Sequence, residues 1–295
     1  MEFYTNVAPY GDKMFVRGYQ NGRPYQRKID FYPTLFVTSK SPSKYTTLEG
    51  QQVDEIKPGT IKETREFVKK YEDVAGFNVY GNTNYAYQYI SDTYEDDVNW
   101  DIEQIKIFTI DIETATESGF PDIRSANEEI LLITVKDFQS KKIITWGIKP
   151  YENKREDCTY IYCQTEQHLL KEFLLWWQAN YPDVITGWNT DFFDVPYLIR
   201  RLMRELGESF AKKISPWGLI NERNTFIKGN EELHYDISGI SQLDYLELYK
   251  KYTYTKQESY RLDYIAEQEL GDKKKENPGD SFKDFYTNYW DDFVI

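Results

Sequence analysis

Cysteine is scarce in this chain: Cys158 and Cys163 are the only two among 295 residues. Two cysteines are too few for a disulfide framework, and no second pair or adjacent set of histidines completes a zinc site. We therefore expect a reduced, intracellular setting for the protein.

Long apolar runs are also missing, because no segment approaches the roughly 20 apolar residues that a membrane-spanning helix needs. The first four residues, Met1-Glu2-Phe3-Tyr4, lack the basic and apolar regions of a signal peptide. The sequence therefore predicts a soluble protein that stays inside the cell and has no membrane partner.

Positive charge is outnumbered, since 36 Lys and Arg face 49 Asp and Glu, which gives a formal net charge of −13. An average field of this sign repels phosphate and excludes a broad basic surface for nucleic acid. Any nucleic-acid binding must therefore be local or shared with a partner. Aromatic residues are abundant instead, with 26 Tyr and 17 Phe, and their number indicates a folded chain.

The first of two expected domains, residues 1–103, is predicted to be small and rich in strands. Residues 14–19 and 25–37 have strand composition on either side of Asn21-Gly22, a pair suited to a tight hairpin turn. Pro33 marks an edge or an end of the second strand.

A helix is predicted over residues 61–71, where apolar side chains leave a charged opposite face, and Gly76 breaks the pattern. Residues 85–94 and the acidic stretch Glu95-Asp96-Asp97 follow. We place the domain boundary after this stretch, near residue 103.

The second domain, residues 104–295, is predicted to alternate strands and helices. The order matches a ribonuclease H-like core with a mixed sheet, so the predicted fold class is α/β (α+β). After Leu243 the chain is expected to be mostly helical, broken by a loop over residues 273–279. The predicted strands are 105–112, 130–135, 143–148, 159–163 and 183–187, and the predicted helices are 166–180 and 194–206.

Two carboxylates, Asp111 and Glu113, follow the apolar strand that starts at Ile105. Because residues two apart on a strand project to the same face, both can point at one metal site at a sheet edge. Asp-x-Glu is expected by chance in so acidic a chain, and it recurs at Asp101 and Glu103. That second pair lies in an acidic linker, so the context favours Asp111 and Glu113.

A second candidate segment, residues 187–197, lies where a predicted strand gives way to a helix. Asp194 has two interpretations: it is a helix N-cap, or it is a third carboxylate that converges on the metal site. Trp188, Phe192 and Phe193 are by default core residues, although an exposed aromatic ring can stack on a nucleotide base.

Several motifs resemble those of family B DNA polymerases, in particular the T-even-type bacteriophage group. Asp111-Ile112-Glu113-Thr114 is similar to the first exonuclease motif of proofreading polymerases, and residues 189–197 are similar to the second. Further segments of the phage group recur in the same order at 90–94, 120–122, 243–251 and 259–266. The resemblance covers nearly the whole chain and implies a 3′→5′ exonuclease in the cytoplasm of an infected bacterial host.

The resemblance also implies site residues and two bound Mg²⁺ or Mn²⁺ ions, hard cations that carboxylates suit. Asp111 would bridge both ions, Glu113 would bind the ion that activates water, and Asp194 would bind the ion beside the leaving group. Phe120 and Phe193 would frame the terminal bases of the 3′ end of single-stranded DNA. The implied nucleic-acid contacts also include Asn189 and Trp188.

The third exonuclease motif of that family carries a fourth carboxylate four residues after a Tyr or five after a His. Neither spacing occurs here, and residues 281–295 are similar to the helix that leads into the motif. We therefore expect a chain truncated before its third motif, with weakened metal binding. Polymerase signatures are also missing, so we expect no nucleotide addition and a polymerase domain or separate polymerase chain as partner.

Two other functions remain open at this point. One is a catalytically weak subunit that binds nucleic acid or acts as a scaffold for a split polymerase. The other is a free-standing ribonuclease of the same fold, which the long domain before residue 103 disfavours.

Overall fold

The computed structural model describes residues 2–94, 96–117, 119–227, 230–272, 275 and 277–294. The chain divides into two compact units, Met1–Gln104 and Ile105–Ile295. Among the sequence predictions, Glu95 of the acidic stretch, part of the loop at 273–279 and Ile295 lie outside the described residues.

The first unit is rich in strands and contains two antiparallel sheets. Three strands form one sheet in the order β1-β2-β3, and four form the other in the order β5-β6-β4-β7. The elements are β1 (Glu2–Tyr10), β2 (Lys13–Gln20), β3 (Arg23–Asp30), β4 (Leu35–Thr38), β5 (Tyr45–Thr46), β6 (Gln52–Ile56), α1 (Ile61–Tyr71), β7 (Val79–Tyr80) and α2 (Tyr85–Thr93).

The predicted hairpin lies between β2 and β3, where Gln20 pairs with Arg23 across a two-residue turn. Asn21 and Gly22 both have positive φ, 53° and 77°, which is the geometry that favours Asn-Gly in tight hairpins. The single strand predicted over residues 25–37 is wrong, because β3 and β4 belong to different sheets. Pro33 lies in the break between them, where its missing N–H cannot interrupt a ladder.

Helix α1 has the predicted bounds, Ile61–Tyr71, and begins with a capping box. The Thr60 side chain accepts a hydrogen bond from the Glu63 N–H, and the Glu63 side chain accepts one from the Thr60 N–H. Two of the free amide groups at the helix start are thereby satisfied.

The second unit is built on a six-stranded mixed sheet in the order β11-β10-β9-β8-β12-β15, and a separate hairpin joins β13 to β14. The strands are β8 (Ile107–Thr114), β9 (Ile130–Asp137), β10 (Ile143–Gly147), β11 (Cys158–Tyr162), β12 (Val184–Gly187), β13 (Ile220–Ile227), β14 (Asn230–Ile237) and β15 (Ser241–Asp244). The helices are α3 (Glu166–Asn180), α4 (Asp194–Leu206), α5 (Glu208–Ala211), α6 (Tyr245–Tyr252), α7 (Leu262–Leu270), α8 (Phe282–Asn288) and α9 (Trp290–Val294).

Strand β8 lies inside this sheet, antiparallel to β9 and parallel to β12. Strand β9 is antiparallel to β10 as well, and β12 continues in parallel to β15. Three antiparallel strands followed by parallel strands with intervening helices give the mixed α/β architecture predicted for a ribonuclease H-like core. The predicted fold class is confirmed.

Helices pack on both faces of the sheet. One face packs on α3 and α4 around fully buried side chains such as Trp146, Phe173 and Trp177. The other face packs on the C-terminal helices, where Leu132 meets Tyr286 and Trp290. Burying one large apolar side chain contributes about 1.5–3 kcal/mol, so these two layers hold the central strands firmly.

Helices α3 and α4 have the bounds that the sequence predicts, and the five predicted strands of this unit agree to within two residues at either end. The β13–β14 hairpin and strand β15 were not predicted. Within the described residues, no helix combines the length and the apolar character that crossing a bilayer requires.

Candidate active site

Two candidate carboxylates lie on the same face of β8. Phe108, Ile110 and Ile112 alternate with them and are buried under the helices. Asp111 is exposed and Glu113 is half-buried. Both lie within the second half of an internal strand and not at the edge of the sheet, where the sequence had suggested, because β8 extends to Thr114.

Asp194 is the first residue of α4 and is 4% exposed. Its Oδ1 atom accepts a hydrogen bond from the N–H of Ile112 at 3.0 Å. Ile112 is the residue between Asp111 and Glu113, so this bond attaches the start of α4 to the centre of the candidate site. The N-cap interpretation of Asp194 is wrong, because Phe193 occupies the cap position and no side chain caps the helix there.

The electrostatics connect the three carboxylates. Burial raises the pKa of Asp194 well above its ordinary value, and the negative charge of Asp111 raises that pKa further. The Ile112 N–H acts in the opposite direction, and Glu113 adds a smaller upward shift of the Asp194 pKa. The charged form of Asp194 is therefore costly without a cation nearby.

Among the described residues, no group of three or more His, Cys, Asp or Glu side chains is already arranged to hold a metal ion. The charges of Asp111 and Glu113 thus affect Asp194, although the three side chains are not preformed as a metal site. Their donor atoms are all carboxylate oxygens, which suit hard divalent cations.

Two candidate aromatic residues meet beside Asp194. The ring of Phe120 is 87% exposed, and its centroid lies 5.9 Å from that of Phe193. Phe193 is half-buried and stacks on Tyr197 of α4, with centroids 5.6 Å apart. A large exposed ring supported by a fixed one is an arrangement that can stack on a nucleotide base.

Trp188 and Asn189 belong to the turn between β12 and α4. Trp188 is half-buried, donates from Nε1 to the Tyr260 carbonyl at 3.1 Å, and packs near Tyr245 and Tyr249. The structure therefore places Trp188 in an aromatic cluster different from the pair of Phe120 and Phe193. Asn189 has a φ of 64°, in the left-handed region that Asn tolerates better than most residues.

The loop between β8 and β9, which carries Phe120, is anchored by α4. The Tyr197 hydroxyl donates to the Glu128 carbonyl at 2.7 Å, and Arg201 Nη1 donates to the Ala126 carbonyl at 2.8 Å. Arg201 also forms a buried ion pair with Glu166 of α3. One helix thus holds both Asp194 and the base of the Phe120 loop. Sequence reasoning missed these anchors, because it treats Tyr197 and Arg201 only as members of a helical pattern.

The residues that follow β8 also contact helix α8. The Tyr286 hydroxyl donates to Glu117 Oε1 at 2.7 Å, and Lys283 forms an ion pair with the same carboxylate. These contacts hold α8 beside the end of the strand that carries Asp111 and Glu113.

Residues 66–265 match the model of the family described as DNA polymerase family B, exonuclease domain. The chain is 32% identical to a DNA-directed DNA polymerase of Escherichia phage RB69 over 91% of its own length and 33% of that protein.

A DNA-directed DNA polymerase of Enterobacteria phage T4 is 31% identical over 95% of this chain and 34% of that polymerase. A DNA polymerase of Pyrococcus glycovorans is 34% identical over 34% of this chain and 12% of its own. The chain spans about a third of the length of the phage relatives. Since the family match covers more than half of its residues, the chain belongs to DNA polymerase family B and contains that family's exonuclease domain, as in the polymerases of T-even-type phages.

Proposed function

We propose that this chain removes nucleotides from the 3′ end of single-stranded DNA by hydrolysis with two divalent ions, Mg²⁺ or Mn²⁺. The observation that carries the proposal is the bond from the Ile112 N–H to Asp194, which holds a buried carboxylate beside Asp111 and Glu113. Three acidic side chains from two elements then act on one another electrostatically, as a cation site requires.

The residues fit the proposed ions by donor chemistry and by charge. In this proposal Asp111 would hold both ions, Glu113 would hold the ion that activates the attacking water, and Asp194 would hold the ion that stabilises the leaving 3′-oxygen. When bound, such ions lower the pKa of water and neutralise the charge that develops on the leaving oxygen. Cation binding also relieves the repulsion that raises the pKa of Asp194.

Substrate positioning falls to aromatic residues under this proposal. Phe120 and Phe193 stack on the terminal bases, and stacking contributes about 1–3 kcal/mol per base with little sequence preference. Such tolerance suits an enzyme that must accept any mismatched end. Trp188 and Asn189 shape the turn next to these rings.

The relatives support a proposal for the partners and the location of this chain. Both phage relatives are DNA-directed DNA polymerases, so we propose that this chain works with a polymerase domain or a separate polymerase chain in the cytoplasm of an infected bacterium. A net charge of −13 supports a shared DNA-binding surface, in which the partner supplies most of the phosphate contacts.

The test is digestion of a 5′-labelled single-stranded DNA with Mg²⁺ or Mn²⁺, by this chain and by a form extended at its C-terminus through a third motif. We expect a ladder that shortens from the 3′ end, with faster cleavage by the extended form. Asp111→Asn should abolish cleavage, and the matched control Asp101→Asn should leave it unchanged.

Adding deoxynucleoside triphosphates to a primed template tests the expectation that residues 1–295 do not extend a primer.

A scaffold or nucleic-acid-binding subunit of a split polymerase is the second candidate, favoured by the net charge of −13, which suits an assembly whose partner supplies most of the phosphate contacts. Cleavage by neither form of the chain would support the scaffold. Faster cleavage of RNA than of DNA would support a ribonuclease of the same fold instead.

A further inference from the structure

Another carboxylate, Asp244, is buried close to the candidate site and has no role in the proposed reaction. It ends strand β15, opposite Gly187 of β12, and is 4% exposed. Buried aspartates are rare unless they are paired or fully hydrogen-bonded, so the contacts of Asp244 require an explanation.

Asp244 binds three backbone N–H groups. Its Oδ1 atom accepts from Asn189 at 3.1 Å and from Leu246 at 2.9 Å. Its Oδ2 atom accepts from Asp191 at 3.1 Å. Backbone N–H groups that converge on one point form an anion-binding site, and here the anion is a side chain of the same protein.

The turn that Asp244 holds leads directly into the candidate site. The Asn189 carbonyl accepts the N–H groups of Phe192 and Phe193, at 3.2 and 3.0 Å, and the Thr190 carbonyl accepts that of Val195 at 3.0 Å. The positions of Phe193 and of the first turn of α4 therefore depend on the turn.

The fit around the turn is tight. A Cβ atom added to Gly187 would lie 2.7 Å from the Ile110 carbonyl oxygen of β8. Strand β12 thus approaches β8 as closely as the backbones allow, and a shift of the turn would be passed on to the strand that carries Asp111.

We propose that Asp244 is a positioning residue of the exonuclease site: its carboxylate fixes the turn at residues 188–191 and so sets the place of Asp194 relative to Asp111. The inference rests on the proposed function. A carboxylate suits this task better than an amide, because it accepts hydrogen bonds at both oxygens, and a charged acceptor strengthens each bond. An amide would turn one NH₂ donor toward an N–H group.

The test compares Asp244→Asn with Asp183→Asn, a matched control at the opposite end of β12. Asp183 is 3% exposed and accepts the Lys106 N–H at 3.0 Å, so both variants disturb a buried carboxylate bound to backbone. Mn²⁺ affinity is measured by titration calorimetry, amide hydrogen exchange is measured over residues 188–193, and cleavage of single-stranded DNA is measured in parallel.

Asp244→Asn is expected to weaken Mn²⁺ binding and cleavage by about 10- to 100-fold, as loss of a supporting contact behind a metal ligand does. It is also expected to speed exchange at the amides of Asn189 and Asp191. Both variants should lower the melting temperature by similar amounts. Asp183→Asn should nevertheless leave Mn²⁺ affinity and hydrogen exchange in the turn unchanged.

Equal Mn²⁺ affinity in Asp244→Asn and the wild type, or equal losses in both variants, would overturn the positioning role while leaving the nuclease proposal intact. If the wild type itself binds no Mn²⁺ through Asp111, the nuclease proposal fails. The claim that Asp244 fixes the turn is tested separately, because unchanged hydrogen exchange at residues 188–193 in Asp244→Asn would overturn it. If Asp244→Asn does not fold, Asp244→Glu keeps the charge, displaces both oxygens, and should show a smaller loss in the same direction.

Discussion

The two sides of the candidate site are built on different principles. On β8, Asp111 is exposed and Glu113 is half-buried, so solvent supports their charges, and strand alternation sends both side chains to one face. On α4, Asp194 is buried, and contacts distant in sequence set its position. The carboxylates on the strand side are in contact with solvent, whereas the carboxylate on the helix side is buried in the packed unit and carries an electrostatic cost that a cation would remove.

The sharpest way to separate the two sides is to neutralise one carboxylate on each. Asp111→Asn and Asp194→Asn should both reduce cleavage by at least about 10³-fold, because each removes a ligand from ions that supply several kcal/mol of transition-state stabilisation. Their stabilities without metal should differ. Asp194→Asn should raise the melting temperature more than Asp111→Asn, since it removes a buried charge that is repelled by its neighbours. A lower melting temperature for Asp194→Asn would show that its charge has a structural role.

The dependence of the helix side on packing can be broken at Arg201, whose ion pair with Glu166 is 5% exposed on both sides. Arg201→Met should destabilise the second unit by about 3–5 kcal/mol, because it leaves Glu166 buried without its partner. Arg204→Met is the matched control: Arg204 donates to Asn127 in the same loop at 2.6 Å but is about half exposed, so its loss should cost less than about 1 kcal/mol. Chemical denaturation measures the free energy of unfolding of both variants. Equal losses would contradict the expectation that the buried arginine contributes more than the exposed one.

Phe120 and Phe193 also pair an exposed side chain with a packed one, and the expected effects are smaller. Phe120→Ala should weaken binding of a single-stranded oligonucleotide by about 1–3 kcal/mol and leave stability unchanged, because the ring is 87% exposed. Phe193→Ala should lose binding and stability together, since Phe193 also packs on Tyr197. Fluorescence anisotropy in Ca²⁺ and thermal melting give the two measurements. A large drop in melting temperature for Phe120→Ala would argue that its ring is part of the core.

The weakest effect concerns pH. Because the pKa of Asp194 is raised in the folded protein, the protonated form is favoured there, so stability without metal is greatest below the unfolded pKa and is lost as pH rises through the folded value. Mn²⁺ affinity changes in the opposite direction, falling by up to about tenfold per pH unit below that raised pKa. Titration of Mn²⁺ affinity should show the fall in the wild type at a higher pH than an ordinary aspartate would give. Asp194→Asn should lose this dependence.

Much of the fold could be predicted from the sequence where local signals are strong. Helix α3 starts after Thr165, whose side chain caps it, and α4 ends before Gly207, which has positive φ, so both helices were predicted to the residue. The β3–β4 break was only partly predicted, because Pro33 signals an interruption without saying that the chain changes sheet.

Contacts between distant segments could not be predicted in the same way. The bond between Ile112 and Asp194 joins residues 82 positions apart, and no spacing rule indicates it. Asp244 gave a signal of a different kind, since an aspartate directly before a helix is a common N-cap, and it does accept the Leu246 N–H. Its two further bonds to the turn at Asn189 and Asp191 appear only in three dimensions.

Helix α4 carries Asp194 at its first position and holds the Phe120 loop through Tyr197 and Arg201 further along. A force on the loop is therefore transmitted along the helix to the buried carboxylate. Under the proposed function, substitutions on the later turns of α4 should change how tightly a DNA end is bound and how well the acidic side chains are aligned, without altering any group that touches the reacting bond. Under the proposed function, the rate of cleavage can thus be adjusted by mutations one or more helical turns away from the reacting bond.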